Sequence, residues 1–230
     1  MKKSLFLFII SLFSSISFAQ DCNSFYNFKE GTSFTLQNFN AKNKLVASTK
    51  QKCLSLSQSS NTFNMTMQSE TYDEKNKKLS EGTFVIRCEN GVIKFDMKNL
   101  AMRDMPDMKN TDMKVEVTGD ELDLPANLEV GQALNNVNYG IKATMGVMNL
   151  FNRQISIKDR KVEAKESVTT PAGTFECYKV SYTTETTGLL GKKVNIKSII
   201  WYAKNYGMVK EESYDDKGKL MGYTLLSEFK

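Results

Sequence analysis

Residues 168–214 constrain this chain most. They read V-T-T-P-A-G-T-F-E-C-Y-K-V-S-Y-T-T-E-T-T, then a Gly-rich stretch, then I-K-S-I-I-W-Y-A-K-N-Y-G-M-V-K-E-E-S-Y. β-Branched and aromatic residues dominate, and short Gly- or Asn-containing breaks interrupt them, the pattern of strands joined by tight turns. The stretch predicts three consecutive antiparallel strands. Pro171-Ala172-Gly173 opens the first, residues 188–192 turn it into the second, and Asn205-Tyr206-Gly207 turns that into the third. It holds the only Trp of the chain, several Tyr and one Cys, and is expected at the centre of the sheet.

The same logic extends in both directions. An aromatic residue, Asp or Asn, Lys, Asn or Gly, and Lys recur three times, with Leu soon after: residues 39–44, 72–77 and 214–219. Asp or Asn can start a turn by bonding its own backbone, and Asn or Gly accepts the left-handed position that follows. These are read as hairpin loops; a calcium loop would need more carboxylates at other spacings. Between them the apolar pattern has period two, which predicts strands over 32–39, 44–57, 62–72 and 79–89. Glu89-Asn90-Gly91-Val92 is the strongest hairpin signal. With Asn90-Gly91 as the loop, Phe84, Ile86 and Cys88 share an apolar face with Ile93, Phe95 and Met97.

Residues 98–110 break the pattern, and a short helix ending before Pro106 is the one helical candidate. Strand resumes at 113–117. Residues 124–131 read as a connecting loop, 141–151 as a strand with a bulge, 153–168 as another strand, and 220–229 as the last. So many strands in meander order predict a mainly β fold: one large curved antiparallel sheet, a half-barrel or incomplete barrel. No linker rich in Pro, Gly or Ser interrupts it, so a single β-rich domain is expected over 20–230.

Residues 1–19 read as a signal peptide. Lys2 and Lys3 precede a short apolar run over 5–13, and Ser17-Phe18-Ala19 places small residues where a signal peptidase reads, with cleavage after Ala19. The apolar run is too short for an anchor that spans the bilayer. A lipidated Cys22 is disfavoured by Gln20 and Asp21 before it. Loss of Lys2 and Lys3 lowers the formal net charge from +5 to +3. Basic and acidic residues are interspersed, which leaves no footprint for nucleic acid, and no later apolar run is long enough to cross a membrane. Cys22, Cys53, Cys88 and Cys177 are disulfide candidates in an exported chain. Four cysteines allow three pairings, and buried free thiols are the alternative.

Candidate chemistry is sparse. The chain has no histidine, which removes Ser-His and Cys-His nucleophiles and His-ligated zinc. Asp96 and Glu176 read as solvated-face carboxylates, and no Gly-rich phosphate loop opens a helix. An enzyme is not expected, and neither a catalytic residue nor a cofactor is assigned. Met102, Met105 and Met108 recur at every third position, and thioethers suit Cu(I), although methionine more often fills irregular apolar gaps. Trp201 and Tyr202 are candidates for lining a ligand pocket, against the commoner role of pinning a sheet together.

Several runs resemble the TapB-like group within a large set of exported bacterial domains of unknown function. They are T-P-A-G-T-F-E-C-Y-K-V over 170–180, W-Y-A-K-N-Y-G-M-V-K over 201–210, Cys22, and R-C-E-N-G over 87–91. The resemblance spans nearly the whole mature chain. It implies a curved β-domain in the periplasm or cell envelope of a Gram-negative bacterium and brings no catalytic motif with it. Cys53 departs from the group's pattern, which argues against a simple two-disulfide scheme. The leading expectation is a non-catalytic envelope protein whose curved sheet binds a ligand or a protein partner. A carrier of lipid or another apolar molecule comes second, and methionine-mediated Cu(I) binding third.

Overall fold

The computed structural model describes residues 22, 25–59, 61–97, 113–187 and 193–230. The leader, the helix expected before Pro106, the turn over 188–192 and the Met102, Met105 and Met108 series lie outside the described residues.

Among the described residues thirteen strands form one antiparallel sheet. They are β1 (Ser33–Asn40), β2 (Leu45–Ser59), β3 (Thr62–Asp73), β4 (Lys78–Glu89), β5 (Val92–Phe95), β6 (Met113–Gly119), β7 (Leu122–Pro125), β8 (Val137–Met145), β9 (Met148–Thr170), β10 (Gly173–Thr187), β11 (Lys193–Ala203), β12 (Gly207–Tyr214) and β13 (Leu220–Phe229). Their spatial order is β6-β8-β9-β10-β11-β12-β13-β1-β2-β3-β4-β5-β7. The sheet is therefore curved but not closed, with β6 and β7 at its two ends. It departs from a plain meander in two places. The C-terminal β13 pairs with the N-terminal β1, and β7 returns to β5 while β6 pairs with β8.

The three recurrent turns share one geometry. Asn40 Oδ1 accepts from the amides of Lys42 and Lys44 at 2.9 and 3.1 Å. Asp73 Oδ1 does the same for Lys75 and Lys77, and Asp215 Oδ1 for Lys217 and Lys219. Asn43, Asn76 and Gly218 take the left-handed position at φ 59°, 62° and 78°, as local side-chain chemistry requires. Asn90 and Gly91 both have positive φ, and the β4–β5 register pairs Ile86 with Phe95 and Cys88 with Ile93, all on the buried face.

Two expected boundaries are corrected. Residues 141–151 are not one bulged strand. Gly146, at φ 56°, and Val147 form a turn between β8 and β9, and the bulge sits beside it at Ala143 and Thr144. The tight Met-Gly-Val-Met turn lacks the Asn or Asp that marks the others. Residues 122–125, in part expected as loop, form the end strand β7, which Pro125 can join because an outer strand need not donate every amide.

In an antiparallel sheet successive hairpin turns alternate between rims. The β1–β2, β3–β4, β12–β13 and β8–β9 turns share one rim, called upper here. The β2–β3, β4–β5, β9–β10 and β11–β12 turns, with the chain's entry into β1, lie on the lower rim. Inward side chains change character between them. Near the lower rim they are Phe63, Met65, Met67, Phe84, Ile86, Val209 and Leu226, all buried. Toward the upper rim the inward positions become Asn38, Thr49, Thr71 and Thr224.

The apolar half is filled by the chain itself. Residues 25–32 run along the concave face ahead of β1. Phe25 is fully buried, Phe28 nearly so. Phe25 stacks edge-on to Tyr178 and Tyr202, Tyr26 to Phe95, and Phe28 to Phe229. Gly207 donates its amide to the Phe25 carbonyl at 2.8 Å. A Cβ at Gly207 would lie 2.6 Å from the Tyr26 ring. A disulfide joins Cys22 at the head of this arm to Cys88 at the end of β4.

Candidate functional site: the cleft above the N-terminal arm

Where the arm stops, a cleft of about 420 Å³ remains in the concavity, within the roughly 300–1,000 Å³ range of small-molecule sites. Its apolar wall comes from Phe34, Leu36, Phe84, Ile86, Phe95 and Met208. Tyr26 of the arm forms part of the floor with Tyr202 and Tyr206. Asn38, Thr49, Gln51, Thr71, Thr224 and Glu211 form the polar part. They come from five strands, with Thr49 and Gln51 both from β2, and the pleat delivers them to one face because alternate residues point the same way.

The polar groups are tied to one another. Thr224 Oγ1 donates to Asn38 Oδ1 at 2.7 Å, and the Thr49 and Thr71 hydroxyls lie 3.3 Å apart. The Tyr182 hydroxyl donates to Glu211 Oε1 at 3.1 Å. Burial, and then the Glu211 charge, push the Tyr182 and Tyr202 hydroxyls well above the usual phenol range. Burial and then Tyr202 do the same for Tyr26. Burial thus keeps these phenols in the hydroxyl form, and that of Tyr182 is held as a donor to Glu211. The arrangement suits recognition of a partly apolar molecule with an acceptor at one end.

The two aromatic candidates separate. Tyr202 lines the cleft. Trp201, its neighbour in β11, points to the opposite face, where Nε1 donates to Glu166 Oε1 at 2.7 Å and the Lys210 ammonium sits 4.5 Å from the ring centroid. Adjacent strand residues face opposite sides. Asp96 does not line the cleft, and Glu176 borders a separate hollow with Lys204. Sequence reading missed the arm residue Tyr26 and the strand residues Asn38, Thr49, Thr71 and Glu211. The four strand residues share a signal of position: each lies on the inward register of its strand, toward the upper rim; Tyr26 has no such signal. Among the described residues no three His, Cys, Asp or Glu side chains gather as a metal site, and no helix is long and apolar enough to cross a membrane.

Cys53 and Cys177 are free thiols, both buried. Burial, and then Glu176 and Glu166, raise the Cys177 thiol to about 12. Burial, and then Glu30, raise that of Cys53. Since the thiolate is the reactive form, neither should react with iodoacetamide in the folded protein at mildly alkaline pH. Mass spectrometry should count no adduct on native protein, two after denaturation and four after denaturation with reduction. A native-state adduct would contradict the burial.

The family description DUF3108-like matches residues 29–226. Two solved structures are similar over nearly the whole chain. One, from Bacteroides fragilis, is described as an exported protein with YmcC-like fold. It is 25% identical with a TM-score of 0.74, over 91% of this chain and 100% of its own. The other, from Parabacteroides distasonis, is described as a lipoprotein. It is 26% identical with a TM-score of 0.75, over 92% and 100%. No curated protein matches.

Proposed function

We propose, for a chain that belongs to the DUF3108-like family, a non-catalytic envelope protein of the TapB-like kind that holds a partly apolar small molecule in its cleft. The observation that carries this is the division of the concave face. The arm fills the lower half, and the remaining space has an apolar wall on one side and hydrogen-bonding groups on the other. An apolar segment of ligand would lie on Leu36, Ile86 and Met208. Its acceptor end would meet the Thr and Asn hydroxyls and amide near Asn38 and Thr49. The absence of histidine from the sequence and the mutual pairing of the cleft's polar groups support binding over catalysis. The likeness to proteins described as exported and as a lipoprotein supports an envelope location, with residues 1–19 as a cleaved leader.

The test is native mass spectrometry of the exported protein purified without detergent, paired with titration of a fluorescent naphthylamine. An apolar co-purifying mass and saturable dye binding are expected. Thr49→Trp, which fills the cleft from a half-polar position, should weaken dye binding by about tenfold or more, equivalent to about 1.4 kcal/mol. Dye binding unchanged by Thr49→Trp would remove the cleft as the site.

A further inference from the structure

The upper rim carries a pattern that cleft binding does not use. Each of the three recurrent turns presents two exposed lysines: Lys42 and Lys44, Lys75 and Lys77, Lys217 and Lys219. Each is followed within two residues by an exposed large apolar side chain, Val46, Leu79 or Met221. The turns are neighbours in space: Lys44 Nζ is 2.6 Å from Glu74 Oε2 of the β3–β4 turn, and the Tyr223 hydroxyl of β13 donates to Asn43 at 3.2 Å.

The β8–β9 turn lies on the same rim and extends past the end of the β9–β10 pairing, with β6 paired to β8 as far as Met145. The β9–β10 pairing ends at Ile155, so residues 148–154 of β9 pair only with β8 among the described residues. At about 3.3 Å per residue this is a ribbon of roughly 20 Å. Val147 at its tip is fully exposed, and Met148 and Leu150 are about half exposed. With Val194 at the upper end of β11, seven of the nine exposed large apolar side chains among the described residues thus lie toward this rim. Between Glu129 and Asp159 the chain has no acidic residue and carries Lys142, Arg153 and Lys158.

Acidic groups face the rim too. Asp73 and Asp215 are turned onto their own backbone amides, Glu74 pairs with Lys44, Asp216 is exposed, and Glu116 of β6 lies opposite Lys142. The balance is still cationic, with the apolar side chains interleaved among the lysines. We propose that the upper rim docks on a bilayer surface bearing anionic headgroups, with the β8–β9 tip entering the headgroup layer and the turn lysines meeting the lipid phosphates. Exposed apolar side chains in contiguous patches mark interaction sites. Interleaving with basic residues fits a lipid interface, where apolar groups enter the acyl boundary and cations meet the headgroups. The inference stands on surface residues and does not depend on the cleft being a ligand site.

The test is flotation of the mature, disulfide-bonded protein with vesicles of phosphatidylcholine plus phosphatidylglycerol, and with phosphatidylcholine alone. Binding is expected to the anionic vesicles and to weaken with salt. The double variant Val147→Asp/Met148→Asp should bind about tenfold or more weakly. The triple variant Lys42→Glu/Lys75→Glu/Lys217→Glu should lose the preference for anionic lipid, at about fivefold or more per reversed charge. These residues are exposed, and the thiol count above verifies that each variant folds. Absence of parent binding to anionic vesicles, or binding indifferent to the tip variant, would overturn the proposal. So would a self-association abolished by the tip variant without lipid binding, which would make the rim a protein contact.

Discussion

Replacing Cys22 and Cys88 together by serine should lower the unfolding free energy by about 4 kcal/mol, measured by urea denaturation of the exported protein. The disulfide closes a loop with a sequence separation of 66 residues, and a cross-link of that span removes chain entropy from the unfolded state on this scale. The folded state suffers as well. The arm that carries Cys22 buries Phe25 and Phe28 against β1, β10, β11 and β13, and it has no other covalent tie to β4. Freed from that tie it should open locally before the sheet unfolds. Amide exchange should then accelerate at Gly207, whose amide is held by the Phe25 carbonyl. Tyr26 is part of the cleft floor, so the double serine variant should also change dye binding in the cleft. A loss of less than about 1 kcal/mol, with exchange at Gly207 unchanged, would show that packing alone seats the arm.

What was legible in the sequence is what local chemistry determines. The three Asx turns, the Asn90-Gly91 hairpin and the inward placement of Cys88 follow from side chains bonding their own backbone and from the period of the strand. The mainly β, curved and unclosed sheet follows from their number. The parts that were not legible depend on contacts between distant residues. Nothing in Phe25-Tyr26-Asn27-Phe28 announces a segment that lies across a sheet, since it has neither strand nor helix period. The choice of Cys88 over Cys53 or Cys177 as partner of Cys22 is made by that same arm. The content of the concavity was hidden for the same reason: the arm occupies its apolar half, and the remaining half is partly polar. Trp201 and Tyr202 are instructive in the other direction. Both were candidates for one pocket, yet neighbours in a strand face opposite sides, and the pleat alone could have separated them.

Arg160 holds the open side of the sheet, and its loss should be the other large effect. It is 5% exposed and reaches from β9 to β7, two strands that share no ladder. Nη1 donates to Asp123 Oδ1 and to the Asn135 carbonyl, both at 2.6 Å, and Nη2 donates to the Asp123 carbonyl. Beside it the β7–β8 connection runs along the free side of β9, with Gly131, Gln132 and Leu134 bonded to Val162 and Arg160. A curved sheet without a closing ladder is thus fastened by one guanidinium and a short strip of backbone. Arg160→Met keeps much of the side-chain volume but leaves the Asp123 carboxylate with the Asn135 amide and no cation, and two carbonyls without the guanidinium, at a cost of about 3–5 kcal/mol for an ion pair broken on one side. Asp123→Leu on the Arg160→Met background removes the orphaned charge and should recover part of the loss, though not the two carbonyl bonds. The urea midpoint of the three variants gives the coupling between the residues. Equal midpoints for the parent and Arg160→Met would mean that the backbone strip alone fastens the seam. A midpoint that falls further in the double variant would mean that Asp123 stabilises β7 through partners other than Arg160.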